Sequence, residues 1–146
     1  MNIVIGADHR GFTLKEALKK HLISTGFVVI DSGAHAFIEE DDAIDYAVEV
    51  VNRLKNPDDR GILMCGSGQA MVIGANRFSG VQAILGFNES VVEQGRRHDN
   101  ANVLCLPAEH ISVEYAIHLV QIFLDTTFST LERYRRRQEK LKKIAP

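Results

Sequence analysis

Five short runs of this chain are apolar along nearly their whole length: NIVIGA (2–7), FVVID (27–31), GILMC (61–65), VQAILG (81–86) and NVLCLP (102–107). A strand with one wet face alternates apolar and polar residues, whereas a strand covered on both faces does not. Between these runs lie FTLKEALKKHLISTG (12–26), AIDYAVEVVNRLK (43–55), QAMVIGANRF (69–78) and ESVVEQGRRH (89–98), mostly with helical spacing. In the first, Leu14, Ala17, Leu18, His21 and Leu22 share a face, Lys15, Lys19 and Lys20 turn outward, and Gly26 ends the helix. Strand and helix alternating through short connections specify a parallel sheet with helices on both faces. VEYAIHLVQIFL (113–124) adds a helix, and TLERYRRRQEKLKKI (130–144) adds a last one carrying most of the basic charge.

The chain reads as one domain over 1–146, with no linker rich in Pro, Gly or Ser and no internal repeat. A chain of this length buries roughly two-thirds of its unfolded surface and needs no disulfide or metal to fold. Its formal charge of −2 argues against a globally basic nucleic-acid binder. No apolar stretch approaches the ~20 residues of a bilayer crossing. Two distant cysteines in apolar surroundings, and a start without signal-peptide character, give a cytoplasmic protein as the expectation.

In open α/β sheets, ligands bind beyond the carboxyl ends of the strands, so the residues just past each run are the first candidates for a site. ADHRG (7–11) comes after the first run and CGSG (65–68) closes the third, while RRHDNAN (96–102) leads into the fifth. The last of these needs a neighbouring edge or a second subunit to meet the others. The amides of Gly66, Ser67 and Gly68 can serve phosphate, carboxylate or a developing oxyanion, but the loop lacks the lysine of a P-loop and the full dinucleotide fingerprint. Cys65 at that loop is a nucleophile, a base, or a buried structural thiol. Cys105, inside a strand, reads as structural.

Asp8 can accept sugar hydroxyls or cap the first helix, and His9 can move a proton or hold an anion. His98 is the other imidazole among hydrogen-bonding groups. No His/Cys/Asp spacing matches a metal site. Arg133 and Arg137, four apart, are neighbours on one helical face and can clamp a phosphate. The basic run holds one aromatic, Tyr134, and offers no base-stacking platform for nucleic acid.

Together, IGADHRGFTLKEAL, DSGA, GILMCGSGQAMVIGANRFSGV, HDNANVLCLP and the Arg133/Arg137 pair resemble, in order over nearly the whole chain, the ribose-5-phosphate isomerase B and galactose-6-phosphate isomerase family. The resemblance implies a three-layer α/β/α Rossmann-like fold with a five-stranded parallel sheet and an extra C-terminal helix. It further implies a homodimer or homotetramer with sites between subunits, no metal or cofactor, and aldose–ketose isomerisation of a sugar phosphate through an enediolate. Carried over, Cys65 is the base, Ser67 with the amides of Gly66 and Gly68 stabilises the enediolate, and His98 assists ring opening. Asp8 and Asp42 hold sugar hydroxyls, and His9, Arg133 and Arg137 bind phosphate. Some residues depart from the pattern: Ala43 stands where a tyrosine is usual, Asp99 replaces an asparagine that contacts sugar, and Glu109 replaces an arginine. A glutamate beside a phosphate repels it by order ~1 kcal/mol even at water-like dielectric. The Gly-Gly before the late arginine is absent, and FSTLER is one residue longer. Ribose 5-phosphate is the expected substrate, with another sugar or a non-catalytic binding protein as alternatives.

Overall fold

The structure, a computed structural model, describes residues 1–144. Strands β1 (Asn2–Ala7), β2 (Val28–Asp31), β3 (Arg60–Cys65), β4 (Ala83–Leu85) and β5 (Val103–Pro107) form one sheet in the order β2-β1-β3-β5-β4, every pairing parallel. Helices α1 (Phe12–Ser24), α4 (Glu89–Asp99) and α5 (Val113–Asp125) cover one face and α2 (Ala43–Asn52) and α3 (Gln69–Ala75) the other, while α6 (Glu132–Lys142) lies against α4. The three layers and the extra C-terminal helix are as expected.

Burial on both faces explains the unbroken apolar runs. Along β3 the side chains of Ile62 and Met64 join the core under α1, α4 and α5, whereas Leu63 and Cys65 join the core under α2 and α3. The same alternation sends Leu104 and Leu106 of β5 one way and Val103 and Cys105 the other. Cys105 is fully buried, and burial pushes its thiol pKa far up, as befits a structural cysteine.

The outward turn expected of Lys15 is corrected. Its side chain is wholly buried, and its Nζ donates to both carboxylate oxygens of Asp31 (3.0 and 2.9 Å) and to Glu16 (2.7 Å). Lys19, only partly exposed, reaches Asp31 Oδ2 at 2.7 Å. The helix therefore meets β2 through an ion-paired cluster beside its Leu14–Leu18–Leu22 stripe.

From β1 the chain steps to β2 on one side and returns to β3 on the other, so the connections diverge between β1 and β3. This divergence opens a crevice beyond the carboxyl ends of those strands. Ala7 lies opposite Met64 there, which sets Asp8 and His9 beside Cys65 and Gly66.

Candidate active site

At the end of β1, Asp8 is 5% exposed, and its Oδ1 accepts the amides of Arg10 and Gly11, both at 3.0 Å. The carboxylate thus closes the turn leading into α1. Burial raises its pKa, against the lowering effect of the Gly11 amide and the neighbouring His9.

His9 is bound twice by one carboxylate oxygen. Its backbone N–H donates to Asp41 Oδ1 at 2.7 Å, and its Nδ1 lies 2.8 Å from the same atom. The other oxygen of Asp41 accepts the Tyr46 hydroxyl at 2.8 Å. The Asp41 bond holds the His9 pKa above the ordinary histidine value. Burial alone would raise the Asp41 pKa, but the bonds from His9 and Tyr46 bring it below the usual carboxylate range. Burial, then the Asp41 bond, pushes Tyr46 up to about 12, so the phenol acts as a neutral donor. Asp8, His9 and Asp41 offer atoms within 4.8 Å of one another. Within this group, His9 Nδ1 and Asp41 Oδ1 are hydrogen-bonded to each other.

Asp42, expected to face the sugar, is exposed at the α2 entrance and makes no side-chain cap bond. Its neighbour Asp41 points into the site. Ala43, in the place where the family pattern has a tyrosine, packs against the α2–α3 core.

At the end of β3, Cys65 is 5% exposed, and its Sγ accepts the Gly68 amide at 3.2 Å. That bond depends on Gly68 adopting φ 76°, a left-handed conformation that costs glycine nothing. Ser67 is exposed at the tip of the loop, its Oγ 3.4 Å from the Gln69 amide. Gly66 is buried beneath the Arg10 guanidinium, where a Cβ would lie 2.4 Å from Cζ. Glycine is thus what lets Arg10 lie across the loop.

Glu109 does not stand as a bare negative charge. Its carboxylate takes a bidentate pair of bonds from Arg10, Nε to Oε1 at 2.5 Å and the terminal Nη2 to Oε2. Its own amide donates to Gly66 O at 3.1 Å, and the preceding Ala108 amide donates to Cys65 O at 2.9 Å. Arg10 and Glu109 therefore span the ends of β1, β3 and β5.

The remaining candidates form a second group. In the last turn of α4 the His98 ring stacks on Tyr134 of α6, with centroids 4.4 Å apart and planes 4° from parallel. The Arg133 and Arg137 guanidiniums sit 4.8 and 5.4 Å from the centroid of the same Tyr134 ring. Tyr134 is buried, while both arginines are exposed. Asp99 also has an exposed side chain, and its carbonyl takes a 3.0 Å bond from Gln138 of α6. Since α4 runs back from the carboxyl edge of the sheet toward the start of β5, this group lies at the amino edge. The five residues of β5 separate the two edges by roughly 16 Å at ~3.3 Å per residue. One chain thus brings Asp8, His9, Gly66, Ser67 and Gly68 to Cys65, and leaves His98, Asp99, Arg133 and Arg137 elsewhere.

Arg10, Asp41, Tyr46 and Tyr134 were not among the sequence candidates. Tyr134 carried a signal, since it is one residue after Arg133 and three before Arg137. Asp41 carried none, being one of four consecutive acids, Glu39 to Asp42.

No helix among the described residues is long and apolar enough to cross a membrane. The chain is 39% identical over 142 residues to a probable ribose-5-phosphate isomerase B of Mycoplasma genitalium, covering 96% of this chain and 93% of that protein. It is 33% identical over 127 residues to the ribose-5-phosphate isomerase B of Escherichia coli, covering 86% and 85%. The crystal structure of the M. genitalium isomerase with bound ribulose-5-phosphate superimposes with a TM-score of 0.93 at 38% identity, covering 98% of this chain and 95% of that one. The isomerase from Thermotoga maritima gives 0.91 at 39% identity, covering 97% of each chain. The family model described as Ribose/Galactose Isomerase matches residues 3–144, almost the whole chain, and the protein therefore belongs to the ribose/galactose isomerase family.

Proposed function

We propose that this protein interconverts ribose 5-phosphate and ribulose 5-phosphate, with Cys65 as the base. The observation that carries the reading is the near-complete match to the M. genitalium isomerase that holds ribulose-5-phosphate. A thiol at the mouth of the β1/β3 crevice, with an amide hydrogen directed at its sulfur, supports the assignment of the base.

The Cys65 thiolate takes the proton from C2 of the open-chain aldose, and the C2–H electron pair moves toward C1 to leave an enediolate. A proton passes from O2 to O1, and the Sγ–H then returns its proton to C1, giving the ketose. Ser67 and the loop amides stabilise the negative oxygen. Because the Gly68 amide already serves Sγ, Gly66 and Ser67 carry more of that task. Asp8 holds sugar hydroxyls and His9 the phosphate.

The phosphate clamp and the ring-opening group come from a second copy of the chain. His98 of the partner subunit assists opening of the furanose, and Arg133 and Arg137 of the partner subunit bind the phosphate beside His9. The roughly 16 Å between the two edges of one chain's sheet supports this division. The Arg10–Glu109 pair is formally neutral, so the repulsion expected of Glu109 is offset within the chain.

Incubating the purified protein with ribose 5-phosphate, and in parallel with other pentose and hexose phosphates and unphosphorylated sugars, tests the reading. Ribulose 5-phosphate is the expected product, and Cys65→Ala lowers its rate by about 10²–10⁴-fold with the circular dichroism spectrum unchanged. Preference for another sugar overturns the substrate, and an active Cys65→Ala enzyme overturns the base.

A further inference from the structure

We infer that Asp41 is a positioning residue for His9, which fixes the imidazole so that Nε2 and a ring charge are presented to the substrate's phosphate. The inference rests on the reading of His9 as a phosphate ligand. Three hydrogen bonds carry it. Asp41 Oδ1 takes both the backbone N–H and Nδ1 of His9, at 2.7 and 2.8 Å, which ties the ring to its own main chain through one atom. Oδ2 is anchored by the Tyr46 hydroxyl at 2.8 Å, so the carboxylate is held from α2 while it holds the β1 loop. Its side chain is only 8% exposed. On its other side the imidazole meets the edge of Phe37, with centroids 6.4 Å apart and planes at 82°. Nε2 is left as the ring nitrogen with no partner among the described residues.

The charges facing this pair come from every neighbouring element: Asp8 and Arg10 from the β1 loop, Asp45 and Tyr46 from α2, and Glu109 from beyond β5. Arg10, the nearby group that disfavours a charged imidazole, is paired with Glu109. A histidine whose protonated form is stabilised keeps its charge to higher pH. Phosphate affinity then persists through neutral pH and declines as the ring deprotonates. Removing the Asp41 charge moves that decline to lower pH.

The test measures KM and kcat for ribose 5-phosphate from pH 6 to 9 in wild type and Asp41→Asn, together with the His9 ring titration by NMR. Asp41→Asn is expected to raise KM about tenfold between neutral and mildly alkaline pH, and far less at pH 6, with kcat changing little. Its His9 titration midpoint falls below that of wild type, and Asp41→Glu recovers part of the KM. A KM–pH profile of Asp41→Asn parallel to that of wild type overturns the inference. If Asp41→Asn does not fold, the wild-type ring decides: a midpoint above that of an ordinary histidine, with Nδ1 hydrogen-bonded, supports the inference, and an ordinary midpoint overturns it. A wild-type enzyme inactive on ribose 5-phosphate refutes the substrate, and the His9 titration with inorganic phosphate as the ligand still decides the role of Asp41.

Discussion

Arg10 and Glu109 show how much one residue's meaning depends on a partner distant in sequence. Set against the family pattern that the chain resembles, Glu109 is an acid standing where an arginine is usual. In the fold it is the receiving half of a bidentate pair across Gly66. Arg10→Ala leaves that acid uncompensated and is expected to raise KM for ribose 5-phosphate about fivefold at low salt, the scale of ~1 kcal/mol of repulsion. The double variant Arg10→Ala/Glu109→Ala recovers most of the loss, and added salt shrinks the difference. Both side chains are about half exposed, so melting temperatures change little. A KM unchanged in Arg10→Ala would separate the pair from substrate binding. The inward turn of Asp41, beside an exposed Asp42, has a similar origin. Helical spacing marks where α2 begins, but only the approach of His9 from 32 positions earlier selects which acid turns inward.

The elements themselves were largely legible. Among the described residues, the five strands and six helices lie where apolar runs and amphipathic spacing put them, with shifts confined to a few residues at the ends. The shortest element, β4, keeps only Ala83–Leu85 of a six-residue apolar run, because an edge strand is paired on one side alone. Lys15 escapes a reading by spacing because it sits beside the Leu14–Leu18 stripe, and what draws it inward is Asp31 on another element. That clamp predicts acid behaviour. Burial by itself would raise the Asp31 pKa, but Lys19, Lys15 and the Gly33 amide hold it down to about 2. A carboxylate depressed in the folded state adds stability above its unfolded pKa of ~4 and loses it as pH falls through the folded value. Unfolding titrations are expected to show this contribution disappearing between about pH 4 and about pH 2. Asp31→Asn removes that dependence and costs about 3–5 kcal/mol at neutral pH, because it strips a buried lysine of its main counter-charge. An Asp31→Asn protein as stable as wild type would show that Glu16 alone satisfies Lys15.

At the scale of the whole molecule, the sequence marks candidate residues but not how the fold groups them. Cys65, Asp8 and His9 converge because β1 and β3 are neighbours at the divergence of the strand order. That order, with β5 between β3 and β4, is set by packing across the sheet and leaves no local mark in the chain. His98, Arg133 and Arg137 form a cluster of their own around Tyr134 at the opposite edge. The proposed site is therefore completed by a two-fold related copy, each chain lending its amino-edge cluster to the other's crevice. The most direct measurement of this claim is complementation between Cys65→Ala and His98→Ala chains, each nearly inactive alone on ribose 5-phosphate. Mixed in equal amounts and allowed to exchange subunits, they are expected to recover about a quarter of the wild-type rate, since half the dimers are mixed and each has one intact site. A mixture no more active than its components, with exchange verified, would contradict a site shared between subunits.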